Sequence, residues 1–194
     1  MALGGLVLAG GQGRRMGHQN KGLMPFGEIH LIDPIINVLR EQCVYVAISA
    51  NQEIELYQQK QLDVWQDLDQ WQNCGPLAGV YSAALQFPSE IDMIQVVPCD
   101  SPFINANVIN ELSQQLRIHH AAAVYVQTQT QIHPVIFQFR RYLLPKLADY
   151  LQTEPKHSIR RWLQQIDAQT VSFEDDQLFI NMNDVQTLTA HLPK

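Results

Sequence analysis

The chain has 194 residues, of which 46% are hydrophobic and 16% charged, the balance of one globular domain that buries roughly 70% of its unfolded surface. Thirteen Lys and Arg against nineteen Asp and Glu leave a net charge of -6, which repels a nucleic-acid backbone and argues against general nucleic-acid binding. Cys43, Cys74 and Cys99 are odd in number and show no C-x-x-C spacing, which argues against a disulfide framework and a structural zinc site and makes reducing cytoplasm the expected compartment.

Residues 1–10 (MALGGLVLAG) are apolar but lack a basic flank and a cleavage site. No stretch approaches the ~18 uncharged apolar residues of a membrane span, so the expectation is a soluble, uncleaved chain. In chain order, residues 5–9 read as a buried strand running into a glycine-rich loop, and Leu31, Ile35, Val38 and Leu39 share one helical face. Residues 43–49 and 62–66 read as strands, and Leu77, Val80, Tyr81, Ala84 and Leu85 recur at helical spacing within 75–86. Residues 92–97 form a strand ended by Pro98, Val108, Leu112 and Leu116 mark a helix, and 121–126 is a further strand. Another strand covers 134–138, where Pro134 suits a first position or a sheet edge. Leu143, Leu144, Leu147, Tyr150 and Leu151 then make one amphipathic stripe, and Ile159, Trp162, Leu163 and Ile166 a second. A short strand at 169–173 and a helix from Asp184 close the chain. Strands alternating with helices predict a three-layer α/β architecture with a mostly parallel, Rossmann-like sheet, whose ligands bind at the carboxyl ends of the strands. We read 1–194 as one domain, with a nucleotide-binding half over about 1–104 and an acceptor half over about 105–194.

The strongest chemical signal is Leu8 to Gly17 (LAGGQGRRMG), followed by Asn20, Lys21 and Gly22. Four glycines after an apolar strand let the backbone turn sharply and present N–H groups to phosphate oxygens. Arg14, Arg15 and Lys21 add positive charge, and residues 1–27 carry no carboxylate. The segment has no G-K-[ST] tail, so it is not a Walker A loop. Met16 stands where a dinucleotide fingerprint needs Gly or Ala. Asp100 follows the strand at 92–97, where a carboxylate suits Mg2+; a loop aspartate bonded to backbone N–H groups would look the same. No H-E-x-x-H or G-x-S-x-G pattern is present, and Cys99 reads as packing rather than as a nucleophile.

The run LAGGQGRRMG with Asn20-Lys21-Gly22 resembles the signature of the sugar-nucleotide-type nucleotidyltransferases. Asp67, Gly75–Gly79 (GPLAG), Pro98–Pro102 (PCDSP), His133-Pro134 and Asn181-Met182-Asn183 follow in the same order. That set, over nearly the whole chain, is similar to the molybdenum cofactor guanylyltransferases. The resemblance implies transfer of GMP from GTP to molybdenum-molybdopterin with release of pyrophosphate. It implies Mg2+ on Asp100 and catalytic charge from Arg15 and Lys21. It also implies a nucleotide pocket of Leu8, Ala9, Gly10, Gly11, Lys21, Ser49, Asn51, Asp67, Gly75 and Asp100.

Two positions depart from the family pattern. Ser49 replaces the first residue of an Asn-x-Asn pair, and Asn20 replaces the Asp before Lys-Gly. Six cations between 140 and 161 (Arg140, Arg141, Lys146, Lys156, Arg160, Arg161) form either a solvated helical face or an acceptor site. Family likeness adds His133, Arg160, Asn181 and Asn183 as acceptor contacts, with insertion chaperones or molybdoenzymes as partners. The alternatives are a cytidylyltransferase on the same cofactor, a sugar-phosphate nucleotidyltransferase, and a non-catalytic carrier of nucleotide or cofactor.

Overall fold

The computed structural model describes residues 1–10, 20–72 and 74–182. Gly11, Arg15, Asn183 and the helix expected from Asp184 lie outside the described residues.

The apolar run at the start forms β1 (Ala2–Leu8), and its side chains alternate between two cores. Leu3 and Val7 enter one, Leu6 the other. A 3-10 turn over Lys21–Leu23 and a small hairpin, β2 (Pro25–Phe26) with β3 (Ile29–His30), lead into α1 (Asp33–Gln42). Pro34 in the first turn of α1 suits a position whose N–H has no helical partner, and Ile35, Ile36 and Leu39 are its buried face. Next come β4 (Tyr45–Ser49), α2 (Ile54–Gln58), β5 (Asp63–Trp65) and α3 (Pro76–Leu85). The second part adds β6 (Ile91–Pro98), α4 (Ala106–Ile118), β7 (Ala123–Thr128), β8 (Ile132–Arg140), α5 (Leu144–Thr153), α6 (Ile159–Gln165) and β9 (Gln169–Phe173).

These strands make a seven-stranded sheet in the order β5-β4-β1-β6-β8-β7-β9. Only β8 runs against its neighbours. Helices α1 and α4 pack over one face, against Val7, Ile48, Met93, Val97, Val124 and Val171. Helices α3, α5 and α6 cover the other, against Leu6, Ala47, Ile94, Val96, Phe137 and Phe139. This is the expected three-layer arrangement, buried on both faces as parallel strands require. Among the described residues, no helix is long and apolar enough to cross a membrane.

Pro134 departs from expectation. It lies inside β8, a central strand, at its third residue. The pairing with β7 jumps there, from Tyr125↔Phe137 to Val126↔His133, and the pairing with β6 ends at Phe137. Residues 134–136 therefore bulge out of both ladders, and the missing proline N–H interrupts neither. Helix α2 and the β2–β3 hairpin were not anticipated, because five- and two-residue elements carry no periodicity to read.

Candidate active site

Four neighbouring parallel strands, β5, β4, β1 and β6, end side by side. The residues that follow them are, across that edge, Asp67, Asn51, Gly10 and Asp100. Hydrogen bonds continue the ladders past the strand ends: Ala50 N–H to Trp65 C=O (3.0 Å), Ala9 N–H to Ser49 C=O (2.8 Å) and Cys99 N–H to Leu8 C=O (3.0 Å). These bonds occupy Leu8 C=O and Ala9 N–H, so the backbone turns to the surface at Gly10, which is exposed.

At the β6 end, Lys21 Nζ donates to Asp100 Oδ2 at 3.1 Å, with side chains 25% and 14% exposed. A charge-assisted bond so shielded from water is far less screened than a surface pair. The lysine is placed by its turn. Gly22 packs directly on Tyr57, since a Cβ there would lie 2.5 Å from the Tyr57 hydroxyl. The fully buried Tyr57 donates that hydroxyl to Asn20 Oδ1, and burial raises its pKa far above the usual phenol value. The amide oxygen of Asn20 thus serves as an acceptor for tyrosine, a task a carboxylate oxygen would equally perform.

At the β4 and β5 ends, Asn51 and Asp67 form a reciprocal pair. Asn51 Nδ2 donates to Asp67 Oδ2 at 2.9 Å, and Asp67 N–H donates to Asn51 Oδ1 at 2.8 Å. Burial raises the Asp67 pKa, opposed by the Asn51 hydrogen bond. The first turn of α3 closes on this pair through a glycine. A Cβ on Gly79 would meet Ser49 Oγ at 2.5 Å and Asp67 Oδ1 at 3.3 Å. Ser49 is 3% exposed, so it backs the pair while Asn51 carries the exposed amide. Gly75, at φ 86, caps α3 in a conformation that favours glycine. Leu68 N–H donates to Ser82 Oγ at 3.0 Å and ties the Asp67 loop to the same helix.

Beyond β6, the same edge receives the start of the antiparallel β8 and the ends of β7 and β9. His133 is 8% exposed, lies 5.0 Å from the Phe179 ring, and has a buried Nε2 with no hydrogen-bond partner among the described residues. Burial lowers its pKa, opposed by the charge of Asp176. Asn181 Oδ1 accepts from Ser101 Oγ at 2.6 Å, and Met182 N–H donates to Asp100 C=O at 2.8 Å. These bonds join Asn181 directly to the Asp100 loop.

The six-cation run divides. Arg140 ends β8 opposite Met93, at the amino end of β6, and donates to Ala121 C=O (2.9 Å) and Leu116 C=O (3.1 Å). Arg141 donates to the carbonyls of Phe87 and Pro88. Both stand at the edge opposite Asp100, where β8 ends because it alone runs backwards, so they cannot join an acceptor site with His133. Lys156, Arg160 and Arg161 follow α5 at the near edge. There His157 Nδ1 and Nε2 lie 3.0 and 2.9 Å from the carbonyls of Cys74 and Leu151, which brings the start of α6 beside Gly75.

The structure thus joins Lys21 with Asp100, and Asn51, Ser49 and Asp67 with Gly79. Tyr57, Gly79, Ser101 and His157 were missed. Gly79 and Ser101 sit inside the GPLAG and PCDSP runs, and only the tertiary contacts give them roles. Cavities of about 400 and 580 Å3 open at the opposite edge, both bordered by Met1, the first reaching Val44 and Ile118, the second Leu85 and Tyr142. Asp100 fits a Mg2+ role, because one carboxylate is a usual protein contribution where phosphates and water complete the shell. Among the described residues, no group of three or more His, Cys, Asp or Glu could form a closed metal cage.

The chain is similar to known proteins over nearly its whole length. The model of the MobA-like NTP transferase domain matches residues 5–171. The chain is 36% identical over 181 residues to a molybdenum cofactor guanylyltransferase of Neisseria meningitidis serogroup C, covering 92% of this chain and 93% of the relative. It is 34% identical over 185 residues to a molybdenum cofactor guanylyltransferase of Pasteurella multocida, covering 94% and 95%. The crystal structure of molybdopterin-guanine dinucleotide biosynthesis protein A from Archaeoglobus fulgidus superposes with a TM-score of 0.79 at 17% identity, covering 97% and 96%. At that identity the superposition establishes the fold.

Proposed function

The chain belongs to the MobA-like NTP transferase family, and on that premise we propose that it transfers GMP from GTP to molybdenum-molybdopterin, forming the guanine dinucleotide cofactor and releasing pyrophosphate. The observation that carries the reading is the 3.1 Å Lys21–Asp100 pair on the edge that also holds Gly10, Asn51 and Asp67. Relatives named for this activity align with over nine-tenths of the chain.

The terminal phosphate of the acceptor is already ionised at neutral pH, so its oxygen attacks the α-phosphorus of GTP without a general base. One P–O bond forms at that phosphorus and the bond to the β-phosphate oxygen breaks, so pyrophosphate leaves with the electron pair. The protein's task is placement and charge neutralisation. Lys21 binds the phosphates, with Arg15 as a second cation. Gly10 and Gly11 let the backbone approach, and the Asn51–Asp67 pair holds the nucleoside over Ser49 and the Gly75 turn. Mg2+ held by Asp100 would supply further neutralisation of the triphosphate. His133, Arg160, Asn181 and Asn183 contribute to the acceptor side. The odd number of cysteines without C-x-x-C spacing supports a reducing cytoplasm, where insertion chaperones or molybdoenzymes would receive the product.

Thermal unfolding with Mg2+ and each of GTP, CTP, ATP and NAD, followed by pyrophosphate release with molybdenum-molybdopterin, tests the reading. GTP at ~100 times its dissociation constant adds roughly 2.7 kcal/mol of stability. A CTP preference would make the chain a cytidylyltransferase. Binding of GTP and cofactor without pyrophosphate release would make it a carrier.

A further inference from the structure

The C-terminal segment meets the Asp100 loop through two hydrogen bonds of opposite kind. The backbone bond, Met182 N–H to Asp100 C=O at 2.8 Å, is backed by the Met182 side chain. That side chain is fully buried with Met24, Phe26 and Leu31, and Phe103 and Ile180 pack around it. The side-chain bond runs from Ser101 Oγ to Asn181 Oδ1 at 2.6 Å. Ser101 is 0% exposed, whereas Asn181 is exposed. The backbone is therefore pinned at 182, and the neighbouring amide is gripped from inside by one oxygen.

A primary amide has two chemically different ends, a carbonyl that accepts and an NH2 that donates. Either end of a solvated asparagine can meet a ligand, because rotation about χ2 exchanges them. Here the buried hydroxyl donates to the carbonyl and so turns that end inward, while the NH2 branches from the same carbon in a different direction. We propose that Ser101 is a positioning residue that fixes Asn181 as a hydrogen-bond donor toward the acceptor substrate. Asn181 then selects a hydrogen-bond-accepting oxygen, on a phosphate or on a pterin carbonyl, against an N–H at the same place. This rests on the reading of Asn181 as an acceptor contact. It explains why a fully buried hydroxyl directly follows Asp100, and it adds no step to the chemistry.

The test measures KM for molybdenum-molybdopterin and for GTP in Ser101→Ala, Ser101→Thr, Asn181→Ala and the Ser101→Ala/Asn181→Ala double variant, with thermal melts alongside. Losing one orienting hydrogen bond raises the acceptor KM about three- to tenfold, with GTP KM unchanged and with recovery in Ser101→Thr, which keeps the hydroxyl. In the Asn181→Ala background, Ser101→Ala adds nothing further, because the two act as one unit. An unchanged acceptor KM in Ser101→Ala, with a raised one in Asn181→Ala, overturns the role of Ser101. Equal rises for acceptor and GTP also overturn it, since the loop as a whole would then be at fault. No effect of Asn181→Ala on acceptor KM overturns the underlying acceptor reading instead. Asn181→Asp separates the two oxygen sources. A KM rise beyond that of Asn181→Ala that added salt relieves identifies a phosphate, and a salt-independent rise identifies a carbonyl.

Discussion

Gly79→Ala adds one methyl where α3 closes on Ser49 and Asp67. Its Cβ would lie 2.5 Å from Ser49 Oγ, 3.3 Å from Asp67 Oδ1 and 3.7 Å from Ser49 Cβ. In an unhindered helix interior the change stabilises by about 1 kcal/mol, whereas overpacking costs roughly 1–3 kcal/mol. The expected net effect is a loss of about 0–2 kcal/mol. Ser49 is 3% exposed and has no solvent to rotate into, so the strain passes to the Asn51–Asp67 pair and weakens GTP binding. Ser49→Ala removes the nearest atom and leaves the 3.7 and 3.3 Å contacts, of which the first is ordinary. In that background Gly79→Ala therefore recovers most of its helix-propensity gain, giving a coupling of about 1–2 kcal/mol. Urea unfolding of the four variants measures the cycle, and GTP-dependent stabilisation reports the pocket. A gain of about 1 kcal/mol from Gly79→Ala in both backgrounds, with GTP binding unchanged, would refute the reasoning.

Three further outcomes follow from the site. Asp100→Asn lowers turnover on the order of 100-fold or more while costing only about 1–2 kcal/mol of stability, because a neutral amide oxygen still accepts from Lys21; near-normal turnover would remove Asp100 from the chemistry. His133 has a pKa held below its ordinary 6.5 by burial, against the pull of Asp176. Its neutral form therefore contributes stability that is complete above about 6.5 and lost as pH falls toward the folded value. The non-titrating His133→Phe should lose less stability than wild type over that window, and equal acid slopes would refute the assignment. Burial pushes the thiols of Cys43 and Cys99 up to about 12, so iodoacetamide at about pH 8 labels them only after unfolding; rapid native-state labelling of Cys99 would reopen its exclusion as a nucleophile.

The order of strands and helices was legible in the sequence wherever a segment was long enough to repeat its pattern. The helix carrying Val108, Leu112 and Leu116 and the stripe from Leu143 to Leu151 are read from spacing alone, because burial on one face forces that spacing. The placement of Asp100 just past a strand, and hence at a carboxyl end, follows equally from local sequence. What lay beyond reach were the relations between distant segments. Spacing does not reveal that Asp67 and Asn51 grip each other, that Gly79 leaves them room, or that Ser101 holds Asn181 across a separation of 80 residues. Nor does it reveal that Arg140 and Arg141 stand at the far edge, since that depends on β8 alone running backwards. Periodicity records which side of an element faces a core, so it determines elements and layers. Strand direction, and the pairing of side chains from separate loops, depend on which elements become neighbours, and the tertiary structure alone decides that.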